Sequence, residues 1–224
     1  MNITIERKIA DTKNTHIFQL VETILKNHYT MSPFLIGISG AGGAGKTTFA
    51  KNLCEFIGKK HSLTIDLDDY LISRQERGKL EVTGYNPIAN KLHLARNNLE
   101  GLKLGKSIKK PKYVHRTGEI LPEEEIEPKE IIIAEGVTAL YPELRELYNL
   151  SFFLDAPNET QMKSRITRDV RERGYTLEEA IALFHAVQPD YKRFIEPTKA
   201  FADVVVHVSI DYVMTVTHIT ERFR

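Results

Sequence analysis

The sequence has few of the features that mark secreted or membrane-spanning proteins. Its 224 residues include one cysteine, Cys54, and no tryptophan. A single cysteine excludes a disulfide within the chain, which is typical of a reducing compartment. No apolar run approaches the roughly 20 residues that a membrane-spanning helix needs. The amino terminus contains Glu6 and Asp11 and lacks the order of charged and then apolar residues of a signal peptide, so we expect a cytoplasmic protein without a membrane partner.

An excess of charge of either sign is also absent. Lysine and arginine total 31, aspartate and glutamate total 30, and the formal net charge is +1. Such a balance produces no overall field that would attract nucleic acid, and we expect none as a partner. Binding of an anion must therefore depend on local groups of cationic residues. The length suits one α/β domain, or one domain with a small lid.

A glycine-rich segment is the most informative motif that is present. It follows the apolar run 34–39 and leads into a stretch of helical spacing. Glycines in such a loop let successive backbone N–H groups point at phosphate oxygens, and the amino end of the next helix adds positive potential. Lys46 would reach the β- and γ-phosphates, and the hydroxyl of Thr47 would ligate magnesium. The residues of this predicted nucleoside triphosphate site are Gly40, Ala41, Gly42, Gly43, Ala44, Gly45, Lys46, Thr47 and Thr48.

Apolar runs alternate with segments of helical spacing along the rest of the chain. This alternation predicts an α/β protein with three layers, in which a parallel sheet has helices on both faces. Together with the glycine-rich loop, it indicates a P-loop NTPase fold with a small lid. The expected strands are 34–39, 62–67, 131–134, 151–155 and, as the last strand, 204–208. The expected helices lie within 17–25, 49–57 and 92–102, with lid helices at about 159–173 and 177–187.

The remaining segments divide the chain further. Residues 1–32 are expected to form an amino-terminal helical extension that packs on the core, and 33–224 the P-loop domain. The polar, glycine-containing segment 74–90 is predicted to be a mobile loop, and the charged segment 106–128 a loop or a short hairpin arm.

Acidic residues follow two of the predicted strands. Asp68 comes directly after the strand 62–67, and Glu135 follows 131–134. The carboxyl ends of parallel strands face the ligand crevice in an open α/β sheet. Asp68 is therefore placed to orient an acceptor hydroxyl and take its proton, and Glu135 to hold magnesium; a strand end or helix cap is the alternative for each. Asp66, inside the strand, is expected to point elsewhere.

Arginines cluster on the first predicted lid helix. Arg165 and Arg168 share a face at spacing i, i+3, and Arg173 lies near the end of the helix. Planar guanidinium groups suit a transferring phosphate because negative charge accumulates on its oxygens. A solvated helix face is the alternative for such a run.

Several motifs stand in the order seen in the uridine kinase and phosphoribulokinase family, which the chain resembles over about residues 34–209. The motifs are the phosphate loop 40–48, Leu67–Tyr70, Asn86-Pro87, Lys110–Tyr113, Ala134–Gly136, Arg168–Gly174 and Phe194–Val204. The resemblance implies a P-loop kinase that uses ATP and Mg²⁺ and transfers the γ-phosphate to a hydroxyl of a ribose-containing small molecule. It also implies a homo-oligomer, either a dimer or a tetramer.

The same resemblance assigns roles to individual residues. The catalytic residues would be Asp68, as general base, with Lys46, Arg168 and Arg173. Arg165 would join the phosphate loop in binding the nucleotide. The metal ligands would be Thr47, Glu135 and Asp68. The acceptor pocket would contain Asp68, Tyr70, Tyr85, Tyr113, His115 and Arg168.

The acceptor signatures are incomplete for both branches of the family. Tyr85 stands where uridine kinases usually have an acidic residue that grips the ribose, while Val114-His115-Arg116 after Tyr113 is closer to the phosphoribulokinase arrangement. Leu71, however, occupies the place of a histidine that binds the sugar phosphate in phosphoribulokinases.

A few residues after the position of Leu71, phosphoribulokinases have an arginine where this chain has Gln75, although Arg74 is adjacent. We expect a nucleoside such as uridine or cytidine as acceptor, with a pentose phosphate as the alternative. A protein that binds ATP for regulation, without phosphorylating an acceptor, is the alternative from another functional class.

Overall fold

A computed structural model describes residues 13–29 and 33–224 of the chain. In this part, six strands form one sheet in the order β2-β5-β1-β6-β7-β8, and two further strands form a separate hairpin, β3-β4. The strands are β1 Phe34–Gly40, β2 Ser62–Asp66, β3 Ile108–Val114, β4 Glu119–Ile126, β5 Ile131–Glu135, β6 Leu150–Asp155, β7 Val204–Val208 and β8 Met214–Ile219.

Helices connect these strands and form the lid. The α-helices are α1 Thr15–His28, α2 Lys46–Ile57, α3 Arg74–Lys79, α4 Leu92–Lys103, α5 Asn158–Arg173, α6 Leu177–Ala186 and α7 Gln188–Asp190. Short 3₁₀ turns occur at Leu67–Tyr70, Pro87–Ala89, Arg145–Leu147, Glu196–Phe201 and Glu221–Phe223, and a π-helical turn at Tyr191–Ile195. Among the described residues, none of these helices is long and apolar enough to cross a membrane.

The sheet places the end of β1 at its centre. β1 pairs in parallel with β5 on one side and with β6 on the other, so Ile36 lies opposite both Ile133 and Leu150. After β1 the chain crosses to β2 on the far side of β5, whereas β6 and β7 extend the sheet in the other direction. Ligands bind at such a switch point in open α/β sheets. The crevice is therefore expected at the carboxyl end of β1, where the glycine-rich loop begins.

Each face of the sheet has its own apolar core. In β1, Phe34, Ile36 and Ile38 point into one core, and Leu35 points into the other. Because successive side chains of a strand point to opposite faces, a strand buried on both faces reads as a continuous apolar run. The three layers that the sequence predicts are confirmed.

Helix α1 completes the first of these cores. Its apolar side chains are buried, and the ring of Phe18 stacks against Phe49 and Phe56 of α2 with centroid distances of 5.7 and 5.6 Å. The amphipathic helix and its packing are thus confirmed. The division of the chain at residue 33 stays a prediction, since residues 1–12 and 30–32 lie outside the described part.

Two expectations are wrong. The strand 204–208 is not the last, because β8 follows it and pairs with β7 in antiparallel fashion, with Val204 opposite Ile219. The segment 74–90 is not entirely loop, because it begins with helix α3. Ser73 and Glu76 form a capping box at the start of α3, in which each side chain bonds the other residue's backbone N–H. The hairpin β3-β4 confirms the short arm expected within 106–128.

Candidate active site

The glycine-rich loop runs from the end of β1 to the start of α2. Gly43 and Gly45 have φ values of +90° and +89°, a region that L side chains rarely adopt. No atom lies within 4 Å of a Cβ built at Gly45, so glycine is required there for its backbone conformation rather than for space. The loop leads into the unpaired N–H groups at the amino end of α2, which suit an anion.

Two cavities meet at this loop. The first, which we call the loop cavity, has a volume of about 620 Å³ and is bounded by residues that include Gly43, Gly45 and Thr48. The second, the arginine cavity, has a volume of about 420 Å³ and is bounded by residues that include Arg74 and Arg77. Both cavities are lined by Lys46, Thr47, Asp68, Tyr113, His115, Arg168 and Arg173. Most of the residues predicted for catalysis therefore lie at the boundary between the two cavities.

Asp68 lies in the helical turn that follows β2, with a third of its side chain exposed. Burial raises the pKa of its carboxyl group, but the positive fields of His115, Lys46, Arg173 and Arg168 outweigh that effect and leave the pKa below its usual value. Asp68 is therefore ionised at neutral pH, as a proton acceptor must be.

His115 is the neighbour of Asp68 on the hairpin, with 3.6 Å between Nε2 and the Asp68 carboxylate oxygen Oδ2. Burial lowers the pKa of His115 to about 4, so its imidazole is neutral at neutral pH. Lys46 and the arginines then hold Asp68 ionised at that pH.

Three carboxylates crowd the end of the sheet near Lys46. Burial, and then the charges of Asp68 and Glu135, raise the pKa of Asp66 well above its usual value. Burial also raises the pKa of Glu135, although Lys46 and a hydrogen bond with Thr47 oppose the shift. A divalent cation would relieve this repulsion.

No three His, Cys, Asp or Glu side chains of the described residues form a ready metal site by themselves. Mg²⁺ is usually held by one or two carboxylates together with substrate phosphates, so the residues present fit the ion. The residues that would hold it are Thr47, Glu135 and Asp68, as predicted, together with Asp66.

Asp66 corrects the expectation that its side chain points elsewhere. It lines the loop cavity, and its carboxylate accepts a hydrogen bond of 2.9 Å from the backbone N–H of Asp68. The helical turn at Leu67–Tyr70 starts directly after β2, so Asp66 caps this turn instead of continuing the strand.

A buried carboxylate holds the arginines of α5 in place. Asp169 is 1% exposed, and its oxygens lie 3.4 Å from Arg165 Nε, 3.5 Å from Arg168 Nε and 3.1 Å from Arg173 Nη1. Arg165 and Arg173 are spaced four residues before and after Asp169, which puts these three residues on one face of the helix. This spacing is visible in the sequence, yet sequence reasoning assigned no role to Asp169.

Tyr70 is the one predicted acceptor residue that the structure does not bring to the site. Its side chain is 1% exposed and belongs to the core beside α4. Its hydroxyl accepts a hydrogen bond of 3.0 Å from Asn98 Nδ2. By contrast, Tyr85 lines the arginine cavity, and Tyr113 lines both cavities.

Asp69 attaches the hairpin to the turn that carries Asp68. Its buried carboxylate accepts hydrogen bonds from the ammonium of Lys110, from Lys112 Nζ at 3.3 Å and from the backbone N–H of Tyr113 at 2.9 Å. Lys110 also pairs with Glu124 of β4 at 2.8 Å. These contacts place Tyr113 and His115 beside Asp68. Sequence reasoning missed the contacts of Asp69 because they join residues more than 40 positions apart.

Replacing Asp69 with alanine should destabilise the protein strongly. The change leaves the buried Lys110 ammonium with one half-exposed partner, and breaking a buried ion pair in this way costs about 3–5 kcal/mol. Glu124→Gln is the matched control, for which a loss of at most ~1 kcal/mol is expected because the Glu124 side chain is half exposed. Urea unfolding measures the free energy of unfolding of both variants. Equal small losses of stability in the two would contradict the role given to Asp69.

Comparison with known proteins identifies relatives of this chain. Residues 35–214 match the model of the phosphoribulokinase / uridine kinase family. The chain is 41% identical to a phosphoribulokinase of Synechocystis over 176 residues, which cover 78% of this chain and 53% of that protein. It is 36% identical to a uridine kinase of Halalkalibacterium halodurans over 200 residues, which cover 82% of this chain and 92% of that protein.

Solved structures agree on the fold. The phosphoribulokinase from Rhodobacter spheroides superimposes with a TM-score of 0.61 at 16% identity, covering 80% of this chain and 71% of that chain. D-glycerate 3-kinase from Cryptococcus neoformans superimposes with a TM-score of 0.65 at 14% identity, covering 91% of this chain and 97% of that chain. The chain spans about half the length of the curated phosphoribulokinases that it matches. On the matched residues, it belongs to the phosphoribulokinase / uridine kinase family.

Proposed function

We propose that this protein transfers the γ-phosphate of ATP to a hydroxyl of a small acceptor that is itself an anion, such as a phosphorylated sugar. The observation that carries this proposal is the charge of the arginine cavity. Six cationic side chains and three carboxylates line it, and His115 is neutral at neutral pH. The cations are Lys46, Arg74, Arg77, Arg165, Arg168 and Arg173, and the carboxylates are Asp68, Glu135 and Asp169.

Arg74 and Arg77 contribute charge that no carboxylate of the described residues compensates. Arg74 donates to the backbone carbonyl oxygens of His115, at 2.5 Å, and Arg116, at 3.3 Å. Arg77 donates to the carbonyl oxygen of Ile72, at 2.5 Å, and the hydroxyl of Tyr113, at 2.6 Å. Neutral partners fix the two guanidinium groups in position and leave their positive charge for a ligand. Guanidinium groups suit phosphate in charge and geometry.

In this proposal the two substrates enter from opposite sides of the shared boundary. The nucleotide phosphates bind in the loop cavity against the backbone N–H groups and Lys46. The anionic group of the acceptor binds near Arg74 and Arg77, so that its hydroxyl points towards Asp68. Mg²⁺, when bound near Thr47 and Glu135, supplies positive charge to the phosphate oxygens.

The protein's own groups then act on the transfer. Asp68 orients the acceptor hydroxyl and accepts its proton while the hydroxyl oxygen bonds to the γ-phosphorus and the bond to the departing ADP oxygen breaks. Arg168 and Arg173 stabilise the charge that develops on the phosphoryl oxygens. Closure of α5 and α6 over the site would exclude water, which would otherwise accept the phosphate.

A neutral nucleoside is the second candidate. The rings of Tyr113 and Tyr175 line the arginine cavity and would suit a base. The uridine kinase relatives also match this chain over more than 90% of their own length. A nucleoside, however, would leave Arg74 and Arg77 without a counter-charge. A nucleoside is the acceptor expected first from the sequence, with a pentose phosphate as the alternative; the charge of the cavity supports the opposite order proposed here.

An acceptor panel tests the proposal. ADP release would be measured with ribulose 5-phosphate, ribose 5-phosphate and glycerate, and with ribulose, ribose, uridine and cytidine as neutral counterparts. We expect a phosphorylated sugar to have kcat/KM at least roughly 100-fold above that of its neutral form, as two charge-assisted contacts would give. A higher kcat/KM for uridine or cytidine would overturn the proposal in favour of the second candidate.

Arg77→Gln should raise the KM for a phosphorylated acceptor about 10- to 100-fold, because one charge-assisted contact is lost. The KM for ATP should not change, since Arg77 does not line the loop cavity and its hydrogen bonds go to Ile72 and Tyr113, not to the glycine-rich loop. Arg96→Gln is the matched control, because Arg96 pairs with Glu100 on α4 and lines neither cavity. A parallel loss for neutral and phosphorylated acceptors would show that Arg77 supports the structure only, and would contradict its role as an anion ligand.

A further inference from the structure

The hydroxyl of Tyr85 lies directly against the phosphate loop. It accepts a hydrogen bond of 2.8 Å from the backbone N–H of Gly42 and another of 3.2 Å from Arg165 Nη1. The guanidinium carbon of Arg165 lies 5.7 Å from the centre of the Tyr85 ring. The residue is 8% exposed, and its open side lines the arginine cavity. Tyr85 thus touches the loop from the acceptor side.

Hydrogen bonds also hold the backbone of Tyr85. Its backbone N–H donates to Thr83 Oγ1 at 3.1 Å, and its carbonyl oxygen accepts from the hydroxyl of Tyr141. Thr83 in turn donates to Asp190 at 2.7 Å. Tyr85 is thus held by its backbone and by its hydroxyl. Such a side chain is preorganised, as groups that act on a transition state need to be.

The close approach also explains a glycine in the loop. A Cβ built at Gly42 would lie 2.4 Å from the Tyr85 hydroxyl oxygen, closer than real Cβ atoms come to another heavy atom. Any side chain at this position would displace the hydroxyl. A residue without a side chain is therefore needed at position 42 for the tyrosine hydroxyl to approach the loop as it does.

The Tyr85 hydroxyl also carries a proton that it can donate. A phenol has one O–H donor and can accept two hydrogen bonds, and both acceptor positions are used here, by Gly42 and Arg165. Among the described residues no acceptor takes the proton. Two donors on the same oxygen polarise the O–H bond and strengthen it as a donor. The hydroxyl therefore offers a strong hydrogen bond to a ligand in the arginine cavity.

The position of the loop indicates which ligand receives it. The peptide unit between Ala41 and Gly42 is bonded at both ends, because the ammonium of Lys46 donates to the Ala41 carbonyl oxygen at 2.9 Å and the Gly42 N–H donates to Tyr85. Lys46 lines the boundary between the cavities, where the proposed function places the γ-phosphate. The outermost phosphate is the part of the nucleotide that reaches the arginine cavity.

We propose that Tyr85 is a catalytic residue whose hydroxyl donates a hydrogen bond to an oxygen of the γ-phosphate during transfer. This inference rests on the proposed function, and it moves Tyr85 from the acceptor pocket to the phosphoryl donor. Together with Arg165, the hydroxyl stabilises oxygens that gain negative charge as the bond to ADP breaks. ADP has no γ-phosphate, so the contact distinguishes ATP from ADP.

The test compares Tyr85→Phe with wild-type protein, using calorimetric binding of Mg²⁺–AMP-PNP and Mg²⁺–ADP in the absence of acceptor. We expect affinity for AMP-PNP to fall roughly 10-fold or more, affinity for ADP to change less than about 2-fold, and kcat to fall roughly 10- to 100-fold, as loss of a hydrogen bond to a charged group predicts. Tyr148→Phe is the matched control. It removes another buried hydroxyl, one without a partner among the described residues and outside both cavities.

The possible results of this test either support or overturn the proposed role of Tyr85. Equal loss of affinity for AMP-PNP and ADP would show that Tyr85 only shapes the loop, and unchanged affinity for both would show that it does not touch the γ-phosphate; either result overturns the proposal. Wild-type protein that binds neither nucleotide would instead overturn the proposed function itself. Thermal unfolding of Tyr85→Phe checks that the variant is folded, which we expect because the ring and its packing are retained.

Discussion

Replacing Asp68 with asparagine is expected to lower kcat by roughly 100-fold or more, the usual effect of losing a positioned general base. Asparagine has nearly the same shape but cannot accept the proton of the acceptor hydroxyl. Neighbouring positive charges keep the pKa of Asp68 below its usual value, so the wild-type carboxylate is ionised at neutral pH and the variant removes a charge that is present. ATP binding should be almost unchanged, because the phosphates contact Lys46 and the loop backbone.

Measurement of kcat and of nucleotide affinity for the same preparations separates the two effects. Asp211→Asn is the matched control, because Asp211 is exposed on the turn between β7 and β8 and lines neither cavity. We expect the control to retain wild-type kcat. Wild-type turnover in Asp68→Asn would remove Asp68 from the mechanism.

Lys46→Met should weaken both ATP binding and transfer, with kcat falling roughly 10²- to 10³-fold, as for removal of one preorganised charge-stabilising donor. The residue Lys46 is 8% exposed, and burial lowers the pKa of its ammonium while Glu135 and Asp68 oppose the shift. A cation with little solvent around it interacts strongly with phosphate oxygens. Methionine keeps the length of the side chain and removes the charge.

Lys59→Met serves as the control for Lys46→Met. Lys59 follows α2, is largely exposed and pairs only weakly with Glu55, so little change in affinity or kcat is expected. The assay is steady-state ADP release with calorimetric ATP binding. Undiminished transfer in Lys46→Met would mean that the glycine-rich loop is not the phosphate site.

Much of the fold could be predicted because the signals are local. β1 and β5 are buried on both faces, and each therefore reads as an unbroken apolar run. Gly174 ends α5 in the left-handed conformation, as the sequence predicts for a helix stop. The glycine-rich loop and Asp68 could be predicted as site residues for the same reason, since a motif and a position at the end of a strand can both be recognised in short segments of sequence.

The parts that sequence reasoning missed depend on tertiary packing. β8 is an edge strand in which only Met214 is buried, so it lacks the apolar run that marks the other strands of the sheet. Asp69 and Lys110 become a pair only when the hairpin folds against the turn after β2. Tyr70, two residues after Asp68 in the sequence, has its ring in the core because the residues of a tight helical turn point in different directions.

The charge of the arginine cavity is the clearest example of a feature that the sequence alone does not show. Arg74 and Arg77 lie in a segment that reads as a polar loop, and nothing near them in the sequence shows whether a carboxylate neutralises them. The structure gives both arginines neutral partners, in Ile72 and Tyr113 for Arg77 and in the hairpin carbonyls for Arg74. The proposal of an anionic acceptor rests on these contacts.

A crystal structure of the protein with Mg²⁺ and AMP-PNP tests the central claim most directly. We predict that the γ-phosphate lies at the boundary between the loop cavity and the arginine cavity, beside Lys46, with the Asp68 carboxylate facing the γ-phosphorus across a gap that an acceptor hydroxyl can fill. A nucleotide whose phosphates lie away from the glycine-rich loop, or an Asp68 carboxylate that faces away from the γ-phosphorus, would contradict the account.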